Sequence, residues 1–393
     1  MAGQGKETER EKAVRGSQGE ERVRRLMETG VSEGIFPGGV ALWGDRERII
    51  GEVAAGHLRT VPPPLGPATT PEALYDLASL TKPLVTGALI LRTVARGRLD
   101  LSMTAADVLP EMSGTFAGGA TLRELLCHSA GLCAWAPLYE RVAFSLSPEE
   151  RKREMLRQIV ALPPAGPRGA KSLYSDFGFM ILGWILERVW GEPLERLYRE
   201  RIAGPLGVVG ADFLTPDSPL SEAVRSGRVP VASTEMDPLS GRPFTGVVHD
   251  EHARLLGGVS GHAGLFGSAR AVWALARPWL GGGFFPDPWL DLFRSRQPGL
   301  EWALGWDTPT PGSSSGRFMT PEASIGHLGY AGTSVWIDWQ KERIVVLLTN
   351  RVHPVRTDNR IREFRPRLHD AILGPFGEPG PGTLQDGKEA FPS

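Results

Sequence analysis

Asp76-Leu-Ala-Ser79-Leu-Thr-Lys82-Pro83 places a serine and a lysine three residues apart, directly before a proline. Within a helix, proline is tolerated in the first turn, where backbone N–H groups have no intrahelical partner. Pro83 therefore predicts that Ser79 lies near a helix start, with Lys82 on the same face. Amides at a helix start favour a developing oxyanion, and a lysine beside a serine can accept its proton. Ser79 is a candidate nucleophile and Lys82 its candidate base, but an exposed capping serine followed by a solvated lysine fits the spacing too.

Lysine is scarce in this chain of 393 residues, since 7 of its 44 basic residues are lysine and the other 37 are arginine. A coding bias towards arginine accounts for most of this preference. Arginine does not give up its proton in a protein, whereas lysine can. Lys82 is the one lysine between Lys12 and Lys152, and it stands beside the candidate nucleophile. Its position therefore supports a role as a base.

Composition excludes several classes of function. The net charge of -1 argues against a nucleic-acid partner, and no apolar run approaches the roughly 18 residues that cross a membrane. Cys127 and Cys133 are too few for a disulfide scaffold and have no zinc-type spacing. The segment from Met1 to Gly30 lacks the apolar core of a signal peptide. We therefore expect a cytoplasmic protein that acts on a small molecule or a short peptide, and its oligomeric state stays open.

Two hairpin patterns lie at opposite ends of the chain, Gly39–Val53 and Thr333–Thr349, with helical patterns between them, such as Phe177–Tyr198. This order differs from the β-α-β alternation of a parallel sheet. It predicts an α+β fold, in which both chain ends build an antiparallel sheet flanked by helices. The expected divisions are a charged, helix-prone lead-in (1–29), one catalytic domain (30–372) with a helical subdomain at about 100–215, and a loose Gly/Pro-rich tail (373–393).

Two further motifs carry polar groups that suit the same chemistry. Tyr174-Ser-Asp176 begins the long helical pattern, so a tyrosine hydroxyl could relay a proton near the nucleophile while Asp176 bonds the lysine. A core tyrosine followed by an aspartate helix cap explains this motif as well. His327-Leu-Gly329-Tyr330-Ala-Gly-Thr-Ser334 precedes a predicted strand, and its glycines permit close approach of a substrate backbone. A glycine-rich turn into a hairpin is the plain alternative.

Taken together and in this order, the motifs resemble the serine β-lactamase and penicillin-binding-protein-like superfamily. The class C-type branch, with its esterases and D-alanyl-D-alanine carboxypeptidases, is the most similar. The resemblance extends over about residues 30 to 360. Further segments that support it are Thr121-Leu-Arg-Glu-Leu-Leu-Cys-His-Ser-Ala-Gly-Leu132, Gly257-Gly-Val-Ser-Gly-His-Ala-Gly-Leu-Phe266 and Leu348-Thr-Asn-Arg-Val-His-Pro354.

The resemblance implies a role for each motif. Ser79 would be acylated, with Lys82 as its base and Tyr174 as a second proton-transfer group. His327 and Gly329 would line the substrate, and the amides of Ser79 and Tyr330 would form the oxyanion hole. No metal or organic cofactor is implied. The expected function is therefore a serine acyl hydrolase for small esters, amides or D-amino-acid peptides, and the alternatives are a β-lactamase or D-alanyl-D-alanine carboxypeptidase proper.

Two positions depart from the usual pattern of the superfamily. Asp176 stands where asparagine is usual, and a carboxylate beside Lys82 would raise the pKa of the lysine and weaken it as a base. The division of proton transfer between Lys82 and Tyr174 then stays open. His327 stands where β-lactamases usually have lysine, and a mostly neutral imidazole would recognise a substrate carboxylate less well. Esters, amides and small peptides are favoured over β-lactams for this reason.

Three other interpretations remain open at this point. A metal hydrolase could use His249, His252 and His262, although His-x-x-His lacks the spacing of the helical zinc motif. An α/β-hydrolase would need Gly-x-Ser-x-Gly, and the nearest match, Gly258-Val-Ser-Gly-His262, ends in histidine. A non-catalytic, peptide-binding relative of the same fold would be expected to lose the serine or the lysine, and both are present.

Overall fold

An antiparallel sheet of five strands forms the centre of the protein. The computed structural model describes residues 9 to 374. The strands lie in the order β2-β1-β8-β7-β6, so neighbours β1 and β8 come from opposite ends of the chain, pairing from Gly39 with Thr349 to Gly44 with Ile344. The predicted sheet from both chain ends is confirmed. Its strands are β1 (Gly38–Gly44), β2 (Ile49–Gly56), β6 (Ser324–Leu328), β7 (Ser334–Asp338) and β8 (Arg343–Thr349).

Both faces of this sheet are covered, which explains why the inner strands β1 and β8 are almost entirely apolar rather than alternating with polar residues. Strand residues with odd and even numbers point to opposite faces. On β8, Val346 and Leu348 join the main core, whereas Val345 and Leu347 join a second cluster beneath the first and last helices. In that second cluster the rings of Phe36 and Phe364 meet edge to face, 5.0 Å apart.

Helices are the main regular elements between the two halves of the sheet, as predicted. None of the helices within residues 9–374 is both long enough and apolar enough to cross a bilayer. The α-helices are α1 (Glu9–Ser32), α2 (Ala88–Ala95), α3 (Ala105–Val108), α4 (Leu122–Leu126), α5 (Pro148–Val160), α6 (Asp176–Trp190), α7 (Leu194–Tyr198), α8 (Gly204–Leu206), α9 (Pro219–Arg225), α10 (Glu251–Leu255), α11 (Ala269–Ala276), α12 (Asp287–Arg294) and α13 (Ile361–Leu373).

The helix predicted over Phe177–Tyr198 is wrong as a single element, because it is divided into α6 and α7. Gly191 ends α6 in the left-handed conformation, with φ +68°, and its amide donates to the carbonyl of Glu187. Pro193 then precedes the first residue of α7. A left-handed glycine followed two residues later by proline is a usual way to end a helix.

A small second sheet lies outside what the sequence patterns indicated. In the order β3-β5-β4, it joins β3 (Tyr75–Asp76), β4 (Ala211–Phe213) and β5 (Leu265–Gly267). These strands have two or three residues, too few to show a period.

The domain division stays a prediction, and its proposed boundary at residues 29 and 30 falls within α1. Most of the tail predicted for 373–393 lies outside the described residues.

Candidate active site

A strained turn presents Ser79 at the start of a helical run. Ala78 has a φ of +48°, a conformation that costs a non-glycine residue about 1–3 kcal/mol. The buried carboxylate of Asp76 stabilises this turn, because it accepts hydrogen bonds from the amides of Ala78, at 2.8 Å, and His249, at 2.7 Å. A 3-10 turn (Ala78–Leu80), a π-helical segment (Lys82–Gly87) and then α2 follow. Ser79 therefore lies near a helix start, as Pro83 predicted.

Lys82 and Tyr174 converge on the hydroxyl of Ser79. The Lys82 Nζ atom donates a hydrogen bond to Ser79 Oγ at 2.9 Å, and the Tyr174 hydroxyl donates one at 2.8 Å. Ser79 is partly exposed, whereas the Lys82 side chain is fully buried. Ser79 Oγ is thus held between the Lys82 ammonium and the Tyr174 phenol, on a residue that is partly exposed to solvent.

Two further acceptors fix the Lys82 ammonium. Its Nζ atom lies 2.6 Å from Asp176 Oδ1 and 3.1 Å from the backbone oxygen of His262. Burial alone lowers the pKa of Lys82, but the charge of Asp176, followed by Tyr174, more than compensates and leaves it above its ordinary value. Lys82 is therefore an ammonium at neutral pH, which agrees with the direction expected for a carboxylate at this position.

His128 supports Tyr174 and is a residue that sequence reasoning passed over. Its Nδ1 atom accepts a hydrogen bond from the Ser175 amide at 3.1 Å, and its ring lies 4.5 Å from the ring of Tyr174. Burial raises the pKa of Tyr174, although Lys82 acts in the opposite direction, so the phenol keeps its proton at neutral pH. The signal available in the sequence was a histidine within an otherwise apolar segment after Leu126.

His327 lies on β6 beside the same aromatic rings. Its ring is 6.0 Å from that of Tyr174 and 5.7 Å from that of Trp302. Burial and, to a smaller extent, the Lys82 charge lower the pKa of His327 to about 3, so its ring is neutral at pH 7. The Nδ1–H group donates to the Leu328 carbonyl at 2.9 Å, which directs the lone pair to Nε2.

The turn after β6 rests directly against the backbone that leads to Ser79. The Thr333 hydroxyl donates to the Leu77 carbonyl at 3.1 Å. A Cβ atom on Gly329 would lie 2.7 Å from that same carbonyl oxygen, so this close approach requires glycine. Tyr330 follows, with its ring half exposed. The structure therefore brings Gly329 and Tyr330 next to the nucleophile turn.

A second cluster of polar side chains includes His262, whose backbone carbonyl accepts a hydrogen bond from Lys82, and two residues at the start of α10. The Asp250, His252 and His262 side chains have ligand atoms within 4.8 Å of one another and could hold a divalent cation. His262 also bonds Ser260 Oγ through Nδ1 and Asp250 Oδ1 through Nε2, both at 2.8 Å. His249, predicted with this group, instead bonds the Glu235 carboxylate at 3.2 Å.

The α/β-hydrolase alternative is wrong, because the five-stranded sheet is antiparallel and offers no strand-to-helix elbow of a parallel sheet. Its proposed nucleophile, Ser260, is buried, and its hydroxyl bonds His262. A Cβ atom on Gly261 would lie 2.1 Å from the Phe179 carbonyl, so this segment packs tightly against α6. Ser260 is therefore part of the support beneath Lys82.

Comparison with known proteins shows which family the chain belongs to. Residues 23 to 367 match the family described as Beta-lactamase. A relative from Escherichia coli (strain K12), named "Putative D-alanyl-D-alanine carboxypeptidase", is 33% identical over 321 residues, covering 72% of this chain and 70% of the relative. The chain belongs to the beta-lactamase family. A second beta-lactamase-family relative with the same name, from Salmonella agona (strain SL483), is 32% identical over 312 residues, covering 72% of this chain and 71% of its own.

Solved structures confirm the beta-lactamase fold. EstCE1, described as a hydrolase with promiscuous acyltransferase activity, superimposes with a TM-score of 0.73 at 22% identity, covering 92% of this chain and all of its own (100%). Simvastatin synthase (LovD) from Aspergillus terreus has a TM-score of 0.68 at 19% identity, covering 91% of this chain and 98% of the synthase chain. Together with the family match over residues 23 to 367, this fold confirms the superfamily that the motifs suggested.

Proposed function

We propose that the protein is a serine acyl hydrolase that acts through a Ser79 acyl-enzyme on small esters, amides or D-amino-acid peptides. One observation carries this proposal: Lys82 Nζ and Tyr174 Oη approach the partly exposed Ser79 Oγ to 2.9 and 2.8 Å. A nucleophile with proton-transfer groups within hydrogen-bond reach is the arrangement that covalent acyl transfer requires.

The reaction would proceed in two halves. Ser79 Oγ forms a bond to the substrate carbonyl carbon and gives up its proton to Lys82 or Tyr174, while the amides of Ser79 and Tyr330 stabilise the oxyanion. The leaving alcohol or amine departs with a proton as the acyl-enzyme forms. Water then attacks the acyl carbon, and its proton returns through the same groups to Ser79. The products are a carboxylic acid and the regenerated hydroxyl.

Asp176 determines how much of Lys82 is available as a base in this cycle. In the resting site Lys82 is an ammonium and Tyr174 a phenol, so both donate to Ser79 Oγ and neither can accept its proton. One of them must first lose a proton. The Asp176 carboxylate, 2.6 Å from Lys82 Nζ, holds that proton on the lysine. The base form of Lys82 therefore becomes more abundant as pH rises.

Asp176→Asn is expected to move the pH dependence of the reaction. Removal of the carboxylate charge lowers the pKa of Lys82, so the rising limb of kcat/KM against pH moves to lower pH, by about 1 to 3 pH units. The profile is measured between pH 5 and 10 with a p-nitrophenyl ester, after correction for its spontaneous hydrolysis. Because the pKa of Lys82 lies above its ordinary value, kcat/KM of the unmodified protein should rise across this whole range, whereas that of the variant should begin to level off within it.

Asp287→Asn provides a control for that profile, since Asp287 is likewise the first residue of a helix but is exposed to solvent. Its rising limb should coincide with that of the unmodified protein. A uniform loss of activity at every pH in Asp176→Asn would contradict the expectation, because it would mean that Asp176 itself accepts the proton during turnover.

The substrate group opposite His327 is proposed to be uncharged. The His327 ring is neutral at pH 7, so it offers no cation to a terminal carboxylate. The names of the Escherichia coli and Salmonella relatives favour a second candidate, a D-alanyl-D-alanine carboxypeptidase. A D-alanyl-D-alanine peptide with a free or an amidated C-terminus distinguishes the two: comparable kcat/KM values support an uncharged group, and strong preference for the free carboxylate supports the second candidate.

A cytoplasmic location stays a prediction that cell fractionation tests.

Covalent labelling tests the proposal directly. The protein is dialysed exhaustively against EDTA, incubated with an activated fluorophosphonate and measured by intact mass. We expect one adduct, which peptide mapping places on Ser79. A sample taken after the dialysis and before labelling should keep full ester hydrolysis. An adduct on another residue would overturn the assignment of the nucleophile. Activity that disappears with the chelator and returns with Zn²⁺ would instead support the metal-hydrolase alternative at Asp250, His252 and His262.

A further inference from the structure

A buried arginine lies directly behind the turn that carries Tyr330. Arg365, on α13, is 4% exposed, and its Nη2 atom donates to the carbonyls of Gly329 at 3.1 Å and Thr333 at 2.8 Å. Burial lowers the pKa of Arg365 to about 9, with Arg351 and Arg362 contributing, so the guanidinium is still charged at neutral pH. Removal of a cation from water is costly. Among residues 19–374, whose side chains the structure describes, no carboxylate pairs with Arg365, and its hydrogen bonds go to these two carbonyls.

The planarity of the peptide bond converts this contact into an orientation of the Tyr330 amide. The Gly329 carbonyl and the Tyr330 N–H belong to one trans peptide unit, and in such a unit the two groups point in opposite directions. The Gly329 carbonyl accepts from Arg365 and, across the turn, from the Gly332 amide at 3.0 Å, so the Tyr330 N–H is directed away from both donors. Arg365 belongs to α13, and its neighbour Phe364 packs on one face of the sheet. Leu77, next to the Ser79 turn, packs in the core on the other face. The Tyr330 N–H, which points away from Arg365, therefore points towards the side of Ser79.

A second arginine acts on the neighbouring carbonyl of the same turn. Arg351 Nε donates to the Tyr330 carbonyl at 3.0 Å, and its guanidinium lies 4.7 Å from the centre of the Tyr330 ring. Arg351 is also buried, and its Nη1 atom bonds the Asp358 carbonyl at 2.7 Å. The carbonyls of the turn therefore face fixed positive charges, and the local field favours a negative charge near the amide end of the same peptides.

We propose that Arg365 is a positioning residue for the oxyanion hole, because its guanidinium aims the Tyr330 N–H at the substrate oxygen and polarises the peptide that carries it. This inference rests on the proposed function and adds a residue from the final helix to the machinery. Arg365 touches neither substrate nor reacting atoms. It acts through the Gly329–Tyr330 peptide.

Arg365→Met and Arg365→Lys test the proposal. Loss of one oxyanion donor lowers kcat about 10²- to 10³-fold, and misalignment of a donor that remains should lower it about 10- to 100-fold in the Met variant. KM should change little, because the interaction is made in the transition state. The Lys variant keeps a positive charge and one donor, so it should retain more activity than the Met variant. Rates are expressed per active site, with active sites counted by fluorophosphonate labelling at completion.

Arg367→Met is the matched control, since Arg367 is exposed two residues later on the same helix, and it should keep the kcat of the unmodified protein. A purely structural role for Arg365 would reduce the labelled fraction and the melting temperature and leave kcat per labelled site within twofold, which would overturn the inference. If Arg365→Met does not fold, Arg365→Gln is compared with Arg365→Lys, and equal kcat values in that pair would also overturn it. Failure of the unmodified protein to label at Ser79 would count against the proposed function instead.

Discussion

Ser79→Ala is expected to remove nearly all hydrolysis, with kcat lower by a factor on the order of 10⁵ to 10⁶, as in other serine hydrolases without their nucleophile. No other hydroxyl can replace it, because the groups that exchange protons with Ser79 Oγ are buried or fixed around that one atom. The nearby Ser260 hydroxyl is buried and bonds His262. The measurement is steady-state ester hydrolysis together with intact mass after fluorophosphonate treatment.

Folding of the Ser79→Ala protein is checked by its melting temperature, which should be close to that of the unmodified chain since the change removes one partly exposed oxygen. Ser102→Ala, at an exposed serine, serves as the matched control and should keep full activity. Hydrolysis by Ser79→Ala at a rate comparable with the unmodified protein would show that Ser79 is not the nucleophile.

Lys82→Arg is expected to lower kcat about 10²- to 10⁴-fold, the range that general acid–base catalysis contributes. The substitution preserves a positive charge that can still pair with Asp176. It removes the ability to lose a proton, because a guanidinium stays protonated in a protein. The expected loss therefore distinguishes a role of Lys82 as a base from a role as a positive charge. A change to alanine would remove both and could not distinguish them.

Lys152→Arg is the matched control for this experiment, because Lys152 also pairs with a carboxylate, that of Glu187, but away from Ser79. Its kcat should equal that of the unmodified protein. Since the Lys82 side chain is fully buried, the larger arginine could disturb packing, so melting temperature and the labelled fraction are measured with the rates. Retention of activity by a folded Lys82→Arg protein would show that the lysine is incidental.

The fold could be predicted where the sequence carries long, regular patterns. The two hairpins, which gave β1 with β2 and β7 with β8, have strands of five to eight residues bounded by polar or glycine turns. The pairing of β1 with β8 does not follow from either hairpin alone, because strands from distant parts of a chain share no local signal. The break between α6 and α7 had a signal, Gly191 and Pro193, that the apolar pattern on both sides concealed.

At the site, what could be predicted depended on sequence separation. Ser79 and Lys82 are three residues apart, so helix geometry alone brought them together. Tyr174 and His327 required a resemblance to known proteins, since their approach to Ser79 is set by the packing of distant elements. His128 and Arg365 were missed for the same reason: each acts through contacts 47 or 36 residues away in the chain, with Ser175 and Gly329. Their roles become visible through hydrogen bonds and burial in three dimensions.

The sheet that joins the two chain ends has a consequence for biosynthesis. The Gly38 amide donates to Asn350 Oδ1, 312 residues later in the chain. At about 5–20 residues per second, a ribosome needs roughly 15 to 60 s to make that interval. Throughout this time β1 has β2 on one side and an open edge on the other, which is a template for mispairing with other nascent chains. Protection by a chaperone during synthesis is therefore expected to matter more for the yield of this enzyme than the stability of the finished molecule.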